Sequence, residues 1–174
     1  MASTGQLKFD AARHLYTWHT DETIIYVPSV TQILDANGYT SPFCKSRSHA
    51  DRGTDIHRLV ELYNLQQLDG MLDVFQQIEF EELKLQYPIE FNQYLEFLYD
   101  FDCKVLMSER LIHGSLAFYG DLRDFYYPDW AGTFDIALLA RKTGVIYQVD
   151  VKTGKQAPAS AALQTAAYTI SEFP

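Results

Sequence analysis

Apolar and polar residues alternate near the start of the chain, in Leu7-Lys-Phe9 and again in His14-Leu-Tyr-Thr-Trp-His19. A polar turn, Thr20-Asp-Glu-Thr23, leads into Ile24-Ile-Tyr-Val27, and together these segments predict a small antiparallel meander over residues 1–30. Pro28-Ser29 then reads as a helix start, giving a short helix over 30–36 that Asn37-Gly38 stops. Beyond it the period lengthens: Ile56, Leu59, Val60 and Tyr63 recur at helical spacing within a longer helix predicted over 44–68. A second helical region over 74–101 is interrupted at Tyr87-Pro88, because proline lacks an amide donor and clashes with the preceding turn.

From Lys104 the period changes to two. Strands are predicted over 105–112, 116–119, 132–140 and 145–151, with Arg141-Lys-Thr-Gly144 as a hairpin turn between the last two. An alanine-rich helix over 159–172 closes the chain. Helices, then a central mixed β-sheet, then a helix predict an α/β fold with a β-meander preface. No repeat or linker divides the chain, so one domain is expected over 1–174: the preface (1–30), a helical region (44–102), and the sheet with its closing helix (104–172).

Composition supports a folded core, with 47% hydrophobic and 14% aromatic residues among 174. There is no apolar run of roughly 18 residues to cross a bilayer, and Met-Ala-Ser-Thr-Gly lacks the features of a secretory signal, so a cytoplasmic location without membrane contact is expected. Cys44 and Cys103 are the two cysteines, too few for an iron–sulfur cluster or a disulfide framework.

The net charge of −9 argues against a polyanionic partner until its distribution is considered. Residues 61–102 hold ten acidic side chains against Lys84 alone, so this stretch carries the whole excess and the remainder is neutral. Within that remainder Lys45, Arg47, Arg52 and Arg58 lie close in sequence to the chemistry-bearing residues, and Arg52 and Arg58 are candidate contacts to DNA.

That chemistry centres on Gln148-Val-Asp-Val-Lys152. On a strand, Asp150 and Lys152 point to one face, and a carboxylate and ammonium on a strand expected to be buried are costly unless used. Asp135 in Gly132-Thr-Phe-Asp135 adds a carboxylate on a neighbouring strand. Gly53-Thr-Asp-Ile-His57, with Glu61 one turn later, adds an imidazole, Gly53 being read as a point of close backbone approach. Glu109 and the i,i+4 pair Gln164 and Tyr168 complete the set. Taken singly, a helical histidine, a strand glutamate or an alanine-rich helix is more often ordinary structure. Two carboxylates, a lysine and an imidazole together suggest a divalent cation and a polarised water.

In this order the residues resemble the PD-(D/E)XK nuclease superfamily, specifically its RecB-like and Cas4-like members and their phage exonuclease branch. The resemblance spans about residues 50–170, and Val27-Pro-Ser-Val-Thr-Gln-Ile-Leu34 is similar to openings of phage members. It implies a restriction-endonuclease-like core and a Mg²⁺ or Mn²⁺ site held by His57, Asp135, Asp150 and the carbonyl of Val151. Lys152 would orient or deprotonate the attacking water, Glu109 would hold a metal-bound water or position Lys152, and Gln164 and Tyr168 would bind DNA. The implied activity is hydrolysis of DNA ends or single strands in recombination, repair or phage DNA processing. The alternative is a non-catalytic nucleic-acid-binding or interaction module on the same fold; a restriction endonuclease is less favoured, as 174 residues leave no room for a recognition domain. Unlike the cluster-bearing relatives, this chain has no iron–sulfur cysteines. It also stops six residues past Tyr168, so a C-terminally shortened domain, completed by a tail or a partner protein, is expected. Phe125, Tyr126 and Trp130, in an aromatic segment before Asp135, are candidate base-stacking residues.

Overall fold

The computed structural model describes residues 5–39, 47–114, 128–153 and 159–169. The fold is α/β, with two three-stranded antiparallel sheets and five helices among the described residues. The chain forms two compact units: residues 1–41, 110–134 and 158–174 make the first, and 42–109 with 135–157 the second.

In the first unit the expected meander is present as β1 (Gln6–Asp10), β2 (Leu15–His19) and β3 (Ile24–Val27). Its register pairs Leu7 with Trp18 and Tyr16 with Val27, so alternate residues turn one face inward. Leu7, Tyr16, Trp18 and Val27 are buried with Ala131, which also meets Ser29 in a parallel bridge. Helix α1 (Val30–Ala36) has the predicted bounds: the Ser29 hydroxyl accepts from the Gln32 amide, and the Gln32 side chain accepts from the Ser29 amide.

The second unit is built on α2 (Arg47–Asp69), α3 (Val74–Gln86) and α4 (Pro88–Asp100). The predicted break falls as expected, with Pro88 opening α4 where its missing donor costs nothing, and Asp73 caps α3 in a box with Gln76. Leu59, Leu62, Phe80 and Phe91 form one buried cluster; Val60, Tyr94, Val105, Ile136 and Leu138 form another.

Strands β4 (Cys103–Gly114), β5 (Trp130–Ala140) and β6 (Val145–Val149) lie in that order, and β4 and β5 pass from one unit to the other. The predicted turn joins β5 to β6 with Gly144 at φ 70, a left-handed conformation that glycine adopts freely. Three expectations change. Antiparallel pairing within the sheets replaces the expected mixed arrangement, since β5 and β6 are a hairpin, and the described parallel contact is the isolated Ser29–Ala131 bridge. Next, β6 ends at Val149, so Asp150 and Lys152 follow the strand rather than lie on it. Finally, among the described residues β6 lies at a sheet edge with Val145, Ile146 and Tyr147 exposed, not as a buried strand. The strand expected over 116–119 lies outside the described residues, and the closing helix is described as α5 (Ala159–Thr169). Among the described residues no helix is long and apolar enough to cross a membrane.

Candidate metal centre

Helix α2 buries Leu59, Val60 and Leu62 and, among them, Asn64, which has no exposed surface. A buried amide must be bonded on both sides. Asn64 Nδ2 donates to Ser108 Oγ at 3.1 Å, and Tyr94 Oη donates to Asn64 Oδ1 at 2.7 Å, tying α2 and α4 to β4. Burial raises the Tyr94 phenol well above its ordinary pKa, so it remains a donor. Asn64 lies two helical turns beyond His57, and Ser108 precedes Glu109, so the bonded chain fixes two site residues relative to one another.

Glu109 itself stands at φ 47, a left-handed conformation unusual for glutamate and characteristic of a β-bulge, which redirects a strand's side chains. Asp135, 8% exposed in β5, accepts the Val151 amide through Oδ2 at 2.6 Å, and His57 Nδ1 lies 3.4 Å from the same oxygen. Ligand atoms of His57, Glu109 and Asp135 all fall within 4.8 Å of one another. Three separated segments of the second unit therefore converge on one point.

Burial pushes the Glu109 carboxyl up to about 8, and the nearby charges of Asp135, Glu61 and Asp150 add to the rise against Arg58. Asp135 is also raised, chiefly by burial, with His57, the Val151 amide and Lys152 opposing. Two carboxylates crowded under these conditions favour a cation between them. One imidazole and two hard oxygen donors fit Mg²⁺ or Mn²⁺, the imidazole shifting preference towards Mn²⁺.

Comparison with protein-family models, curated proteins and solved structures finds no match.

The converging set differs from the ligand set that the resemblance implied. Glu109 belongs to it, while Asp150 does not: Asp150 Oδ2 is 2.6 Å from Lys152 Nζ, in an ion pair made across Val151. Val151 meets Asp135 through its amide N–H. Arg52 donates to the Thr153 carbonyl at 3.1 Å and to Glu90 at 2.5 Å. Arg58 is held by Glu79 on two nitrogens and by Glu61, contacts that raise its pKa further. Both guanidinium groups are thus bonded within the chain.

Gln164 and Tyr168 lie in the first unit, where Gln164 Nε2 donates to Tyr168 Oη at 2.9 Å, the predicted i,i+4 relation. The Tyr168 ring covers Gly132, since a Cβ there would meet Cε1 at 2.7 Å. At Gly53 the expected close approach is not seen: among the described residues a Cβ would meet Thr153 Oγ1 at 3.4 Å, an ordinary contact. Gly53→Ala is therefore expected to raise helix stability by up to about 1 kcal/mol, read as a higher Tm with metal affinity unchanged. Trp130, a candidate for stacking, is buried over Gly114 at the start of β5, which removes it from that role. Phe125, Tyr126, Lys45 and Cys44 lie outside the described residues.

Sequence reasoning missed Asn64, Tyr94 and Ser108 as supports of the site. The available signal was an amide two turns from His57 in a helix, close to the apolar Leu59, Val60 and Leu62.

Proposed function

We propose that the chain is a metal-dependent deoxyribonuclease with a restriction-endonuclease-like core of the PD-(D/E)XK superfamily, hydrolysing phosphodiester bonds at DNA ends or in single strands. The observation that carries this reading is the convergence of His57, Glu109 and Asp135 from three segments, with the Asp150–Lys152 pair following from the Asp135-bound Val151. A bound Mg²⁺ or Mn²⁺ would supply charge stabilisation at the phosphoryl group and make water acidic enough to attack near neutral pH.

The chain's own groups account for the rest. His57, Glu109 and Asp135 would hold the cation, and the Val151 amide keeps the Asp135 carboxylate in place. Lys152, anchored by Asp150, retains further N–H donors for the attacking water or a phosphoryl oxygen, where charge develops during the reaction. In this reading Asp150 is a positioning residue that acts through Lys152. Gln164 and Tyr168 remain the proposed DNA contacts carried by the resemblance.

The test is a labelled-DNA assay, single- and double-stranded, with Mg²⁺, Mn²⁺ or EDTA, on wild type and Asp150→Ala. Cleavage with metal, none in EDTA, and a loss of at least about 100-fold in the variant are expected. Cleavage persisting in EDTA, or in the folded variant, overturns the mechanism. No cleavage of any substrate selects the second reading, a non-catalytic interaction module, which draws on the internal engagement of Arg52 and Arg58.

A further inference from the structure

Helix α3 is apolar on two sides. Its inner side buries Phe80 at 4% exposure, with Leu83 packed against the same cluster. On its outer side Val74, Phe75, Ile78 and Leu85 are exposed at 73%, 83%, 53% and 82%, and Met71 in the approach to the helix is 82% exposed. At helical spacing Val74, Phe75, Ile78 and Leu85 fall along one stripe. A helix apolar all round belongs in an interior, and a contiguous exposed stripe of this kind marks a binding surface. At the stripe's end, Leu85 also lines a groove of about 460 Å³ with Phe80, Phe91 and Leu95, a place for one anchoring side chain of a partner.

Charge decides which partner fits. Glu82 lies within the stripe, and residues 69–86 contain Asp69, Asp73, Glu81 and Glu82, besides Glu79 paired with Arg58, against Lys84 alone. Lys84 is itself held near Glu81 at 3.4 Å. A second copy would bring an identical acidic rim against this one, and anionic lipid or nucleic acid would be repelled in the same way. We infer that the outer face of α3 docks a basic amphipathic helix of a partner protein, apolar side down, with Lys or Arg facing the acidic rim. This is helix-in-groove recognition, in which i, i+3, i+4 and i+7 anchors supply affinity and flanking charges supply selectivity. The inference is independent of the nuclease reading.

The probe is a synthetic helical peptide of about five turns with leucines at those spacings and Lys or Arg elsewhere, compared with a matched peptide carrying Glu in place of the cations. Binding to the full chain is read by fluorescence anisotropy, with thermal unfolding as a check on every variant. The basic peptide is expected to bind at least tenfold more tightly than the acidic one, and less tightly as salt rises. F75S/I78S is expected to weaken it at least tenfold, and Glu82→Lys to weaken the basic peptide while strengthening the acidic one. Equal affinity for the two peptides, or full affinity in F75S/I78S, overturns the proposal. So does a wild-type dimer that F75S/I78S converts to monomer, since a second copy would then be the occupant.

Discussion

Asp135→Asn is expected to eliminate divalent-cation binding without unfolding the protein. Asparagine keeps an oxygen that can accept the Val151 amide, now 2.6 Å from Asp135 Oδ2, so the segment after β6 keeps its tie to β5. It removes the charge that the cation requires, leaving His57 and Glu109 as the remaining members of the group. Loss of a partner that only orients a metal ligand costs about 10- to 100-fold in affinity, so loss of a ligand should cost at least 100-fold. Titration calorimetry with Mn²⁺ measures this directly, and the Mn²⁺-induced rise in Tm should disappear. In EDTA the variant should be at least as stable as wild type near neutral pH, because burial disfavours the Asp135 carboxylate it replaces. Wild-type Mn²⁺ affinity in Asp135→Asn would mean that the converging side chains are not a metal centre.

The second large effect belongs to Glu109 and is read without metal. Its folded carboxyl titrates at about 8 against an ordinary 4.5, so between these values the folded chain holds a proton that the unfolded chain has released. Stability then falls as pH rises through this window, and the loss is complete above about 8, where both states are ionised. For one group displaced this far the cost is on the order of 3–5 kcal/mol. Glu109→Gln carries no such charge and should match wild type near pH 4.5 in EDTA while exceeding it at pH 8.5. Both forms keep the φ of 47, so backbone conformation cancels from the comparison. Urea unfolding at the two pH values measures the difference. Parallel pH dependence in the two proteins would exclude Glu109 as the crowded carboxyl.

Much of the architecture was legible because local chemistry and tertiary packing agree. Ser29 and Asp73 cap the helices they precede, Pro88 divides α3 from α4, and Gly144 turns the β5–β6 hairpin. The convergence of side chains was legible in part: His57, Asp135 and Glu109 were singled out, and their ligand atoms lie within 4.8 Å of one another. The left-handed backbone of Glu109 was not legible, since no glycine, asparagine or aspartate marks that position. Nor was the engagement of Arg58 by Glu79, 21 residues away, because sequence spacing does not report which acids fold back onto a guanidinium. Asp150 and Lys152 pair at 2.6 Å, but not on the strand face expected of them, because β6 has already ended. A β-branched run signals a strand without fixing its last residue.

The exposed edge at β6 bears on how the molecule behaves in bulk. Strand edges offer unpaired amides and carbonyls to any passing chain, and apolar side chains such as Ile146 and Tyr147 make such pairing adhesive. Proteins commonly guard an edge with lysine or proline, and Val145-Ile-Tyr-Gln-Val149 contains neither. The net charge of −9 opposes such pairing by mutual repulsion between copies. That repulsion fades as the solution approaches the sequence pI of about 4.9. The acidic excess that first looked like a barrier to DNA is thus also a colloidal safeguard against association at this strand.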